Sequence, residues 1–193
     1  MSLSRGRIPL LLLAFCQACR CGPTAPSTAR DAAKADAEAR PDPALRTPAD
    51  TAPGVRIFFV SAGQTQTCGL VTDNTVICWG GNKFGESTPP AGAFNQVSAG
   101  NGQTCGLRSD GGIACWGRKL AGDRRGPPEG RFVQLGTGRG NHACAVGLGD
   151  EVVCWGDNSS GACEAPAGQF LLVSVGQGYS CGLRMDGAVI CWG

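Results

Sequence analysis

Histidine is almost absent from this chain: His142 stands alone among 193 residues. Residues 55–193 also contain no Cys-x-x-Cys pair, so the ligand sets of a structural zinc site are missing there. No nucleophile, base and orienting group can be assembled from what remains. The stretch is therefore not expected to be an enzyme, and no cofactor is expected. An excess of one charge is missing too. Between Val55 and Gly193 ten Lys or Arg face ten Asp or Glu, which removes a global electrostatic basis for holding nucleic acid or anionic lipid. The one local concentration is Arg118, Lys119, Arg124, Arg125 and Arg131. It reads first as a solvated loop and second as a site for an acidic partner.

The apolar run Ile8 to Phe15, behind Arg5 and Arg7, is too short to cross a bilayer comfortably. It has the build of a secretory signal over residues 1–18, with a buried N-terminal strand as the alternative. Cys19 follows the small residue Ala18, a pattern that resembles a bacterial lipoprotein cleavage site. Cys16 and Gln17 replace the aliphatic and small residues of that pattern, so lipidation of Cys19 and plain cleavage both stand. Residues 19–54 are rich in Ala and Pro with charges of both signs, which predicts an extended tether. A short helix over Ala29 to Ala39 is the alternative, and in isolation it would be marginal.

What the chain does have is a phrase repeated four times: CGLVTDNTVICWG (68–80), CGLRSDGGIACWG (105–117), CAVGLGDEVVCWG (144–156) and CGLRMDGAVICWG (181–193). The first cysteines step by 37, 39 and 37 residues, the signature of a repeat architecture. The units run from about 55–93, 94–131, 132–169 and 170–193. Each opens on an apolar run ending in glycine, at Gly63, Gly100, Gly138 and Gly176. Connections close on Pro-x-Gly, as at Pro90-Ala91-Gly92.

A hairpin whose opposed residue numbers sum to about 220 sets Cys105 against Cys115 and leaves Asp110 and Gly111 at the turn. Opposed Cα atoms lie roughly 4.5–5.5 Å apart, within disulfide reach. The same arithmetic pairs Cys68 with Cys78, Cys144 with Cys154, and Cys181 with Cys191. Export would place these pairs in an oxidising compartment; reduced buried cysteines are the alternative. Cys163 is left over, either reactive or paired with an N-terminal cysteine.

Period-two alternation puts Cys105, Leu107, Ile113 and Cys115 on one face and Gly106, Ala114 and Trp116 on the other. Both faces are apolar and both need cover. Small sheets covered on both sides and repeated radially make a β-propeller. The fold class is therefore all-β, with four recognisable blades, the last incomplete. Gly69, Gly106, Ala145 and Gly182 leave room for a neighbour, and the glycine-ending runs supply the innermost strands.

The phrase resembles the repeats of the regulator of chromosome condensation family in its short bacterial form: TCGLVTDNTVICWGGNKFGE, then Pro89-Pro90 and VSAG from Val97. The resemblance spans Ile57 to Gly193. It implies a propeller, usually of seven blades, serving as a rigid protein-binding disc. Family roles include nucleotide exchange on a small GTPase and β-lactamase inhibition by a secreted bacterial member. The family's Gly-Gln step becomes Gly85-Glu86, Gly122-Asp123 and Gly161-Ala162 here.

Three functional readings follow. The first is an exported, non-enzymatic propeller whose connections bind a protein or glycan, with membrane attachment only through the lipid anchor. Its candidate binding residues are Lys83, Phe84, Arg118, Lys119, Arg124, Arg125, Asn158 and Ser159. The second is the exchange regulator of a small GTPase, opposed by the signal and the disulfides. The third is a fragment of a larger seven-bladed protein, since the fourth repeat stops before its connection. His142, near the slot of Gln66, Thr104 and Ser180, reads as repeat variation. The GTGRGN stretch (136–141) reads as an inner-strand turn with one inserted residue rather than a phosphate loop.

Overall fold

The computed structural model describes residues 56–120 and 126–193. The signal segment, Cys19, the tether, Arg124 and Arg125 lie outside the described residues. Twelve strands fall into four three-stranded antiparallel sheets, and no helix occurs among the described residues. The blades are β1 (Ile57–Ala62), β2 (Gln66–Val71) and β3 (Val76–Gly80); β4 (Phe94–Ala99), β5 (Gln103–Arg108) and β6 (Ile113–Gly117); β7 (Phe132–Thr137), β8 (His142–Gly147) and β9 (Val152–Gly156); β10 (Phe170–Val175), β11 (Ser180–Arg184) and β12 (Val189–Trp192). The fourth repeat, short of its connection in sequence, still completes the same three strands.

In each blade the second and third strands pair with the cysteines directly opposed: Cys68 with Cys78, Cys105 with Cys115, Cys144 with Cys154, and Cys181 with Cys191. All four pairs are bridged, with Cα separations of 4.1, 4.0, 4.0 and 4.0 Å. This is tighter than the roughly 4.5 Å of an unbridged opposed pair. The turns need a left-handed residue, supplied by Asn74 (φ 65°), Gly111 (φ 90°), Asp150 (φ 67°) and Gly187 (φ 85°). Asp73, Asp110 and Asp186 fasten three of them by accepting the backbone N–H two residues on.

A bulge interrupts the first pairing of every blade, between positions 57 and 59 and their counterparts. It turns Phe94 and Phe170 onto Gly106 and Gly182, where a Cβ would lie 2.5 Å from each ring. At Gly106 and Gly182 the small residue thus makes room within its own blade, for the inner-strand phenylalanine, and at Gly69 for Ile57, while Ala145 also packs on the preceding blade.

Between blades, one face always meets the other. Cys68, Leu70 and Val76 of the first blade pack on Phe94, Val97, Ala114 and Trp116 of the second. Cys105 and Leu107 meet Phe132, Leu135, Ala145 and Trp155. Cys144 and Val146 meet Phe170, Val173, Val175 and Trp192. The cysteine face of each blade is therefore its trailing face, and the tryptophan face its leading one.

Polar groups lock the same joints. Gln96 Nε2 donates to the Leu135 carbonyl (2.7 Å) and its Oε1 accepts from the Leu135 N–H (2.9 Å). Gln134 holds Val173 in the same way. Ser61 Oγ accepts from the Ala99 N–H (2.9 Å) and Ser98 Oγ from the Thr137 N–H (3.0 Å).

Candidate functional site on the loop face

The connections begin beside the turns between first and second strands, where the Gly81 N–H donates to the Thr65 carbonyl, the Arg118 N–H to Gly102 and the Asp157 N–H to Asn141. In the first connection Asn82 closes a turn: its Oδ1 accepts from the Ser87 N–H (3.0 Å) and its Nδ2 donates to Thr88 Oγ1 (3.1 Å). Glu86 is 2 % exposed, and its carboxylate accepts from the Phe84 N–H at 2.7 Å. Its main-chain carbonyl accepts from Trp116 Nε1 (3.0 Å) and Thr104 Oγ1 (2.9 Å). The acid standing in the family's glutamine position therefore fastens the turn. It directs its carboxylate oxygen to the backbone and is closed to solvent.

This turn pushes Phe84 outward, leaving it 46 % exposed. The ring lies over Gly102, where a Cβ would come within 3.1 Å of it. Lys83 Nζ stands 5.5 Å and the Arg118 guanidinium 5.8 Å from the ring centroid, within cation–π range. Arg118 is fixed by donating to Asn141 Oδ1 at 2.7 Å. Two connections and the β7–β8 turn thus assemble an aromatic between two cations. Sequence reading missed Asn141, whose signal was the inserted residue in GTGRGN.

The remaining candidates divide. Lys119 is exposed beside buried Leu120. Asn158 repeats the work of Asn82: its Oδ1 accepts from the Cys163 N–H at 2.8 Å, and its Nδ2 reaches Glu164 Oε1 at 3.4 Å. Ser159 donates its N–H to Asp157 Oδ1 (2.9 Å), and that bond holds the Asp157 carboxyl below the usual carboxylate range. These two residues secure the third connection's own turn.

Cys163 occupies the position of Ser87. Both donate their N–H to the turn asparagine, and the Sγ lies 3.6 Å from the Asp157 carbonyl where Ser87 Oγ donates to Gly81. Burial, with the Asp157 charge, pushes its thiol up, away from the thiolate that reactivity requires.

His142 Nε2 lies 2.9 Å from Ser180 Oγ, with the Asp157 charge acting on the ring. The trio has the composition of a hydrolase triad, but the geometry is that of a bolt between blades. Ser180 is fully buried and donates to the Ala162 carbonyl (3.0 Å). In the first joint Gln66 Nε2 likewise meets Thr104 Oγ1, which donates to the Glu86 carbonyl. Pairing with Gly156, as Gln66 pairs with Gly80 and Gln103 with Gly117, aligns His142 with the two glutamines. Thr104 and Ser180 are what such a residue grips. Burial lowers the His142 pKa, partly opposed by Asp157 and the Tyr179 backbone.

Four successive antiparallel blades, mated trailing face to leading face, define a β-propeller repeat protein. The chain carries repeats of the regulator of chromosome condensation type: the family model for the Regulator of chromosome condensation (RCC1) repeat matches residues 59–86. Over 52 residues, 26 % of this chain and 6 % of the relative, it is 40 % identical to the serine/threonine-protein kinase-like protein CCR4 of Arabidopsis thaliana. Its structure is similar to the CRINKLY WD40 ectodomain of the Arabidopsis thaliana receptor kinase ACR4 (TM-score 0.63, 26 % identity, 72 % of this chain and 51 % of that one). It is also similar to the ectodomain of the Physcomitrella patens receptor kinase CR4 (0.61, 29 %, 71 % and 38 %). Prp20p of Saccharomyces cerevisiae shares the fold (0.62, 17 %, 80 % and 47 %). The chain spans about half the length, or less, of these solved structures.

Proposed function

We propose that the chain is a binding module without chemistry of its own, belonging to an exported protein, and that its loop face receives an acidic peptide segment of a protein partner. Phe84, half-exposed between Lys83 and Arg118, carries this reading. The aromatic supplies apolar area at small entropic cost, the cations supply complementary charge, and Gly102, with no side chain, lets the ring rest close on the backbone. Four disulfide-bridged hairpins favour an oxidising compartment, and two of the similar structures are receptor ectodomains.

Panning a random peptide library against the immobilised protein tests the site. Enrichment of Asp- and Glu-rich peptides that release with added salt and lose affinity for F84A and R118E is the expected result. Enriched peptides without acidic bias, or indifferent to both substitutions, would sink it. Export with a lipid on Cys19 is checked separately by the mass of protein recovered from a bacterial envelope. An acylated chain starting at Cys19 supports the tether; an intact N-terminus removes both signal and anchor.

A further inference from the structure

Strand β8 leaves the Phe84 site beside Asn141 and ends at Gly147, so the hairpin turn that follows stands at the other end of the blade. Two exposed apolar side chains meet there: Leu148, 65 % exposed, and Val133, 50 % exposed at the bulge of β7. Their counterparts in the second blade, Ser109 and Asn95, are side by side, with Oγ and Oδ1 3.3 Å apart. The two pairs border one open depression of about 360 Å³, whose lining includes the buried Leu107 and Phe132.

The next joint repeats this arrangement. The Phe132 N–H donates to the Gly111 carbonyl (2.8 Å) and the Phe170 N–H to that of Asp150 (2.7 Å). Leu171 and Met185 therefore follow Val133 and Leu148 as those follow Asn95 and Ser109, and they are 48 and 49 % exposed. Four apolar side chains form one stripe over the third and fourth blades. Its exposure does not come from the limits of the chain, because Val133 and Leu148 stand in a blade packed against neighbours on both sides. Singly exposed apolar residues are ordinary, whereas a contiguous run rimmed by polar groups marks a contact site.

The charge beside the stripe is negative. Glu151 folds back over its own turn, where Gly147 and Gly149 have no side chain to obstruct it: a Cβ at Gly149 would lie 2.7 Å from its Oε2. This holds the carboxylate next to Leu148, with Asp150 at the same turn, and neither acid has a hydrogen-bond or ion-pair partner among the described residues. At the near end Arg131 and Asp110 line the depression together and offset each other. At the far end Asp186 pairs with Arg184 at 3.7 Å. Gln169 stands where the preceding joint has Arg131, so Asp150 and Glu151 are left uncompensated.

We infer that this stripe is a second contact surface, which seats a protein segment carrying bulky apolar side chains next to Lys or Arg. The apolar groups cover Val133, Leu148, Leu171 and Met185, and the cation meets Asp150 and Glu151. An anionic membrane, another taker of an exposed apolar stripe, is repelled by the same two carboxylates. The required charge is opposite to that fitting the cations around Phe84, so the two ends of the blades select different partners.

Panning a random peptide library against the F84A/R118E protein tests this surface by itself, whatever the Phe84 site binds. The expected peptides combine Leu, Ile, Phe or Met with Lys or Arg, bind the wild type equally well, and weaken with added salt. They lose affinity by about tenfold or more for Leu148→Ser and for Glu151→Lys. Both residues are exposed, so neither change disturbs the core, which circular dichroism verifies. No enrichment, peptides without cationic bias, or peptides indifferent to both substitutions overturn the proposal. So does sedimentation with phosphatidylglycerol vesicles, or a doubled mass in light scattering, that Leu148→Ser abolishes; these would give the stripe to a membrane or to a second copy.

Discussion

Gln134 grips Val173 at both ends: its Nε2 donates to the Val173 carbonyl at 3.0 Å and its Oε1 accepts from the Val173 N–H at 2.8 Å. The amide thereby extends the hydrogen bonding of one inner strand to the inner strand of the next blade, 39 residues on. Gln134→Ala removes both bonds between the blades, each contributing about 0.5–1.5 kcal/mol. The expected loss is therefore roughly 1–3 kcal/mol. It is read as a lower urea midpoint at unchanged slope, and an unchanged midpoint would show the clamp to be idle.

Each cysteine bridge closes a loop of about ten residues. Replacing both members of one pair, as in C68A/C78A, should cost roughly 2–3 kcal/mol on the chain-entropy model. Cys68 is fully buried under the second blade, so the double variant also loses packing and sets the upper end of that range. Comparing the variant with the wild type when both are fully reduced separates the two contributions, because no bridge then remains in either. Equal midpoints would assign the whole effect to the bridge.

The hairpins and the blade faces were legible because their causes are local. Cysteine spacing, a turn residue able to take positive φ, and period-two alternation all act within thirteen residues. The joints were less legible because they are made by reach across repeats. Gln96 and Gln134 lie in apolar runs, where a lone polar residue reads as a solvent-facing one. Nothing nearby announces the backbone that each grips 39 residues on. The Phe84 site is longer-range still, since Gly102, Arg118 and Asn141 come from three other segments. Exposure alone had nominated Asn158 together with Phe84, and only the hydrogen bonds divide a turn fastener from a contact residue.

Cys163 should behave as a serine that happens to carry sulfur. Its position repeats Ser87, so Cys163→Ser should keep the free energy of unfolding within about 0.5 kcal/mol of wild type. Because burial and the Asp157 charge raise the thiol, alkylation of the native protein near pH 8 should run slower than that of a free cysteine. The rate should climb only at more alkaline pH. Rapid labelling at neutral pH would contradict the buried, serine-like placement.

His142 makes stability depend on pH with a definite sign. Its folded pKa lies below the ordinary 6.5, chiefly because the ring is buried, so the unfolded chain binds the proton more readily than the folded one. Stability therefore rises with pH wherever the two differ in protonation. It is at its plateau above about 6.5 and falls as pH drops through that value toward the lowered folded pKa. Gln66 shows what a non-titrating residue does in this slot, reaching the Gln103 carbonyl at 2.9 Å and Thr104 Oγ1 at 3.3 Å. His142→Gln should thus keep its grip on Ser180 at neutral pH and lose the decline between pH 7 and 5. Thermal midpoints of both proteins across that interval decide it. A wild-type midpoint flat from 7 to 5, or an equal decline in the variant, would mean that the ring's proton is not what the joint senses.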